Sequence, residues 1–143
     1  AIQADLAVVG IEAEIVTFEW GTYLDKVQRG QHDMGLLGWT GDNGDPDNFL
    51  YVLLDKSATA FPANNIAFYR SEELHDILIQ AQIEVDTAIR TDLYRSAQEV
   101  IHRDAPWAPL VHVVQTAAFE KDVTGFSLHP TGSKWFQNVT LNR

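Results

Sequence analysis

The sequence predicts an α/β fold, in which a layer of strands is covered by helices, and three observations carry that prediction. Apolar residues recur at helical spacing in some stretches and at alternate positions in others. The two kinds of stretch follow one another in an α-β-α-β order over residues 1–40. A composition of 45% hydrophobic and 21% charged residues is that of a chain with a core, and 143 residues suit one domain.

The elements follow in order. In AIQADLAVVG, Ile2, Leu6 and Val9 share a helical face that stops at Gly10. This looks like the last turns of a helix begun earlier, so a piece of a longer protein is expected. IEAEIVTFE, with apolar Ile11, Ala13 and Ile15 and then Val16 and Phe18, predicts a strand. WGTYLDKVQRG puts Trp20, Tyr23, Leu24 and Val27 on one helical face and ends at Gly30. MGLLGW is short and continuously apolar, as a buried strand is.

Asp45 followed by Pro46 starts the next helix, with Phe49, Leu50, Leu53 and Leu54 as its apolar stripe. Residues 55–67 are small, polar and proline-containing and predict a long surface connection. Ser71 and Asp86 each cap a helix of a predicted pair. The first helix carries Leu74, Ile77, Leu78 and Ala81; the second carries Ile89, Leu93, Ala97, Val100 and Ile101 and stops at Pro106. The tail, from APLVHVVQTAAFE onward, is rich in β-formers, and Gly125, Pro130 and Gly132 divide it into two or three closing strands.

Charge and composition exclude several classes. Twenty acidic residues against ten basic ones give a net charge of −10, which argues against nucleic acid or anionic lipid as a partner. With no cysteine, neither a disulfide framework nor a thiolate site exists. No apolar run approaches the roughly 20 residues of a membrane span.

The five histidines, 32, 75, 102, 112 and 129, lack metal-ligand spacing. His75 and His102 read as solvated on polar helix faces, and His112 as a buried, hydrogen-bonded residue in an apolar strand. No GxSxG elbow accompanies the serines, so no catalytic residue is assigned. Trp20, Trp107 and Trp135 read as core or edge packing.

The most unusual stretch is GLLGWTGDNGDPDNFL, where Asp42, Asp45 and Asp47 crowd together in a chain that is already acidic. Such a loop is either fully solvated or has a positive partner outside the sequence. An EF-hand is ruled out by spacing: counting from Asp42, the sixth position is Asp47 rather than glycine and the twelfth is Leu53 rather than glutamate. That leaves an irregular oxygen site, and with it a metal-dependent hydrolase, as the only metal reading. Trp39 stands where a strand runs into the loop, the end of an α/β sheet where ligands collect.

GWTGDNGDPDNF, the preceding IVTFEWGTYLDKVQRGQHDMGLL, the helix DLYRSAQEVIHRDAP and the closing GFSLHPTGSKWFQNVTL together resemble the periplasmic dipeptide-binding proteins of bacterial ABC peptide importers. These belong to the oligopeptide-, dipeptide- and nickel-binding group of extracellular solute receptors. The resemblance covers essentially all 143 residues. It implies a type II, two-lobed binding protein with a mixed sheet flanked by helices, of which residues 1–143 are the C-terminal part of one lobe. It also implies a periplasmic, non-enzymatic receptor, monomeric at full length, without a cofactor. Its partners would be a dipeptide or other short peptide and an ABC membrane permease; oligopeptides, haem or a nickel chelate are alternative ligands.

Within the family's motif, Asp42 would bind the peptide's α-ammonium, Gly38 to Thr40 would run along its backbone, and Trp39 would wall the pocket. Asp45 would then cap the next helix and Asp47 sit in its first turn. The cysteine pair that relatives often carry is missing from residues 55–69. The arginine that takes the peptide carboxylate lies upstream in the family, so Arg29, Arg70, Arg90, Arg95, Arg103 and Arg143 are not given that role.

Overall fold

The structure is a computed structural model and describes residues 1–142; Arg143, among the arginines set aside above, lies outside them. Among the described residues are five α-helices: α1 (Ile2–Val8), α2 (Trp20–Gln28), α3 (Asp47–Leu54), α4 (Glu72–Ile83) and α5 (Thr87–Asp104). A 3-10 turn, Lys56–Thr59, follows α3. Four two-residue strands close the chain: β1 (Val123–Thr124), β2 (Ser127–Leu128), β3 (Lys134–Trp135) and β4 (Thr140–Leu141).

The core lies where α3, α4 and α5 meet. Leu53 and Leu54 from α3, Leu74, Leu78 and Ala81 from α4, and Tyr94, Ala97 and Val100 from α5 form one buried cluster, with Trp107 packed against it. The helix pair starts where its caps predict. The Ser71 hydroxyl accepts the Leu74 N–H at 3.1 Å, and the Asp86 carboxylate accepts the N–H groups of Ala88 at 2.8 Å and Ile89 at 3.1 Å. Before Pro106, Ala105 takes the left-handed conformation (φ 47°) that ends α5. The buried face of α5 sits slightly around the helix from the expected stripe: Tyr94 is buried and Ile89 is exposed. The Tyr94 ring reaches the core and its hydroxyl meets Arg90, so a polar tip leaves a largely apolar side chain free to be buried.

Residues 55–67 connect α3 to α4 at the surface, as composition predicts, with Ser57, Ala60, Phe61, Pro62, Asn64 and Ala67 exposed, but three of their residues turn inward. Asp55, Ala63 and Asn65 are fully buried. The Asp55 carboxylate accepts the Ser57 N–H (2.8 Å) and Ser57 hydroxyl (2.5 Å), and His75 Nδ1 lies 2.7 Å away. The Asn65 amide donates to the carbonyls of Asp55 (3.1 Å) and Tyr69 (2.8 Å) and accepts the Tyr69 N–H at 3.2 Å. A polar segment can be buried when each polar group finds a partner, and composition alone does not show the partners. For the same reason His75 is not a merely solvated residue; it pairs with a buried carboxylate.

The strands expected over residues 11–18, 34–39 and 108–119 form no ladder among the described residues. Leu110, Val111, Val113 and Val114 are 54–82% exposed, and His112, expected to be buried, is exposed with them. A strand is stabilised by a neighbour's N–H and C=O groups and by a covering layer, and neither is supplied here. The ladders that the described residues do hold are two nested antiparallel pairs, β1 with β4 and β2 with β3. Gly125 makes the turn between β1 and β2 at φ 79°, where a Cβ would lie 2.0 Å from the Asn138 carbonyl oxygen. Phe126 joins Phe119 and Phe136 in an aromatic cluster. Trp20 and Trp135 are more than half exposed, stacked on Tyr23 and packed against the His129 ring respectively. Only Trp107 of that trio packs on the core.

Candidate functional site

The chain enters the site from α2. The Tyr23 hydroxyl donates to the Leu36 carbonyl at 3.0 Å, which ties the run 34–37 to that helix. Gly38, Trp39 and Thr40 follow, all exposed and outside any helix or ladder. Trp39 is 41% exposed, and a Cβ at Gly38 would meet nothing within 4 Å. The turn at Gly132 comes up beside Thr40 and Gln115, so the closing segment of the chain flanks the site.

The three aspartates have different surroundings. Asp45 Oδ1 accepts the Asp47 N–H at 2.9 Å and pairs with the Arg90 guanidinium at 2.9 Å. The Arg90 hydrogen bond, with help from the Asp47 amide, holds the Asp45 carboxyl below its ordinary range. The formal N-cap of α3 is Pro46, one residue later than expected, although Asp45 still takes an orphan N–H at that end. Asp47 stands in the first turn, as expected, and its Oδ1 accepts the Gln82 amide N–H at 2.9 Å. Asp42 differs: its carboxylate is exposed and enters no ion pair or hydrogen bond among the described residues. Its backbone is anchored, because the Asp42 N–H donates to the Asn48 side-chain oxygen at 2.9 Å.

Two of the three carboxylates are thus used inside the fold and one faces outward on a tethered loop. Such a group can accept charge-assisted hydrogen bonds from a cation, and the unpaired backbone of Gly38 to Thr40 beside it can bond an extended chain. The sequence singles out Asp42, Trp39, Gly38 and Thr40, and the structure keeps them together on one exposed segment. Arg90, Asn48 and Gln82 are the residues that sequence reasoning misses. Arg90 lies 45 positions from Asp45, and no local pattern announces that pairing. Among the described residues, no three His, Cys, Asp or Glu side chains converge as a metal site would require. Nor is any helix long and apolar enough to cross a membrane.

This fold is that of a lobe portion of the type II periplasmic binding proteins. Residues 1–61 match the family model for bacterial extracellular solute-binding proteins, family 5, middle region. The chain is 39% identical over 140 residues to the dipeptide-binding protein of Escherichia coli K12, covering 98% of this chain and 26% of that protein. It is 36% identical over 141 residues to heme-binding protein A of Haemophilus influenzae, covering 99% of this chain and 25% of that one. Among solved structures, the dipeptide-binding protein of Pseudoalteromonas sp. SM9913 in complex with Met-Leu superposes with a TM-score of 0.90 at 34% identity, over 99% of this chain and 28% of that one. The Helicobacter pylori periplasmic binding protein DppA in complex with the peptide STSA gives 0.85 at 40% identity, over 99% and 28%. The chain therefore spans about a quarter of the length of the relatives it matches, and its resemblance to the dipeptide-binding group holds along that whole span.

Proposed function

We propose that this chain is the C-terminal lobe portion, residues 1–143, of the substrate-binding component of an ABC importer for dipeptides. In this reading the receptor is periplasmic, encloses a short peptide between two lobes and delivers it to a membrane permease, and carries out no chemical reaction itself. Asp42 takes the peptide's α-ammonium, Gly38 to Thr40 bond its backbone, and Trp39 walls the pocket.

The observation that carries this reading is the outward, uncommitted carboxylate of Asp42, beside a segment whose main-chain groups are free to bond a peptide. Relatives that match this chain along nearly its whole length carry dipeptide-binding names, and two similar proteins were solved with peptides bound. An ammonium enclosed by a closing lobe gains from a carboxylate at about 2.8 Å, and main-chain pairing is indifferent to side chains, which suits a receptor for many dipeptides. Exposed alone, the same ion pair is worth only about 0–1 kcal/mol, so affinity depends on closure.

The test is calorimetry on the intact protein. Asp42→Ala abolishes measurable dipeptide binding while the unfolding midpoint stays within a degree or so, as expected for an exposed residue; undiminished affinity contradicts the proposal. The relative named heme-binding protein A, almost as similar as the dipeptide-binding one, favours haem as a second ligand. A haem titration of the same protein decides between the two.

A further inference from the structure

We propose that Asn48 and Arg90 are positioning residues for the Asp42 carboxylate, holding the ligand loop in its binding geometry before any peptide arrives. The inference deepens the reading of Asp42 given above and rests on it. The loop needs such a brace because glycines 38, 41 and 44 all lie within it, and Gly44 takes φ 74°. A glycine-rich segment loses much backbone freedom when it is fixed, and unless that ordering is already present it weakens binding.

The brace runs from the loop into three helices. The Asp42 N–H donates to Asn48 Oδ1 at 2.9 Å, which fixes the backbone of the ligand residue to the first turn of α3. Within the loop, the Asp45 N–H donates to the Asn43 side-chain oxygen at 2.9 Å. Arg90 then secures the start of α3. Its Nη2 donates to Asp45 Oδ1 and to the Tyr94 hydroxyl, both at 2.9 Å, and its Nε donates to the Ala81 carbonyl in α4, also at 2.9 Å. One guanidinium therefore joins α3, α4 and α5, and it does so with the planar fork that an ammonium lacks. Gln82 adds a parallel tie from α4 to Asp47.

Positioning and simple charge predict different outcomes. Arg90 is a cation bound to Asp45, three positions along the loop from Asp42, so through charge alone its removal would not weaken the binding of an ammonium. If Arg90 acts by holding α3 in place, its removal weakens binding. Replacement by lysine keeps the charge and loses the fork, which separates the two effects.

The experiment uses the intact protein and measures Kd for alanyl-alanine and for N-acetyl-alanyl-alanine by calorimetry, with the unfolding midpoint of each variant. We expect Asn48→Ala, which loses one hydrogen bond to the loop, to weaken alanyl-alanine binding roughly tenfold, and Arg90→Gln and Arg90→Lys to weaken it at least as much. Asn48→Asp, which keeps an acceptor oxygen for the Asp42 N–H, returns affinity to within roughly threefold of the parent. The N-acetyl peptide, which has no ammonium, does not respond to the series. Parent-like affinity in Asn48→Ala, or tighter binding in Arg90→Gln, alongside lost binding in Asp42→Asn, overturns the positioning role alone. Parent-like affinity in Asp42→Asn overturns the assignment of the site and this inference with it. The paired Asn48 variants decide the question even if the Arg90 variants fold poorly.

Discussion

Two neighbouring asparagines give a direct test of the packing described here. Asn64 is exposed and its side chain bonds nothing among the described residues, whereas Asn65 is fully buried and makes three hydrogen bonds, to the Asp55 carbonyl and to both backbone groups of Tyr69. Truncating Asn65 to alanine removes all three at once. At a net value of about 1 kcal/mol each, the loss is roughly 3 kcal/mol, and buried backbone groups left without partners push it upward. Asn64→Ala, a surface change, stays within about 0.5 kcal/mol. Both variants of the intact protein are unfolded in urea and followed by tryptophan fluorescence. The account predicts a large drop in midpoint at unchanged slope for Asn65→Ala alone. Equal effects from the two substitutions would refute the buried polar hinge between α3 and α4.

The same hinge carries a pH dependence. Burial pushes the Asp55 carboxyl up, but donation from the Ser57 hydroxyl, the Ser57 amide and the His75 ring outweighs it, and the group ends below its ordinary pKa of 3.8. A carboxyl depressed in the folded state adds stability above its unfolded pKa and loses it as pH falls through the lower folded value. Ser57→Ala therefore costs stability at pH 7, and its gap to the parent narrows below about pH 3.8 in acid titrations followed by circular dichroism; a gap independent of pH contradicts this. Gly125→Ala puts a methyl group against the Asn138 carbonyl oxygen at a positive φ, and it lowers stability by more than about 2 kcal/mol in urea unfolding, whereas parent-like stability would mean the β1–β2 turn is not built this way.

How far the fold could be read from the chain depended on where each element's partners lie. The helices were legible because their determinants are local: Ser71 and Asp86 cap within three residues, and Leu74, Leu78 and Ala81 repeat at helical spacing. The apolar runs 11–18 and 108–119 carried a strand pattern, but pairing needs a second strand, and the described residues supply none. The buried polar connection was missed because Asp55 and Asn65 are polar residues, and the partners that make their burial intelligible include His75, 20 positions on from Asp55, as well as the nearby Ser57. At the site, the crowding of three aspartates marked the loop, and the resemblance of WTGDNGDPDNF singled out Asp42. The division of labour among those aspartates depended on Arg90 and Gln82, which come from other helices and left no trace at the motif.

The most direct test of the proposed function is a crystal structure of the intact protein bound to a dipeptide. The account predicts the peptide's amino nitrogen within about 2.8 Å of an Asp42 carboxylate oxygen and its backbone alongside Gly38 to Thr40. A peptide whose amino end meets a different acidic group, with Asp42 left in solvent, would contradict it.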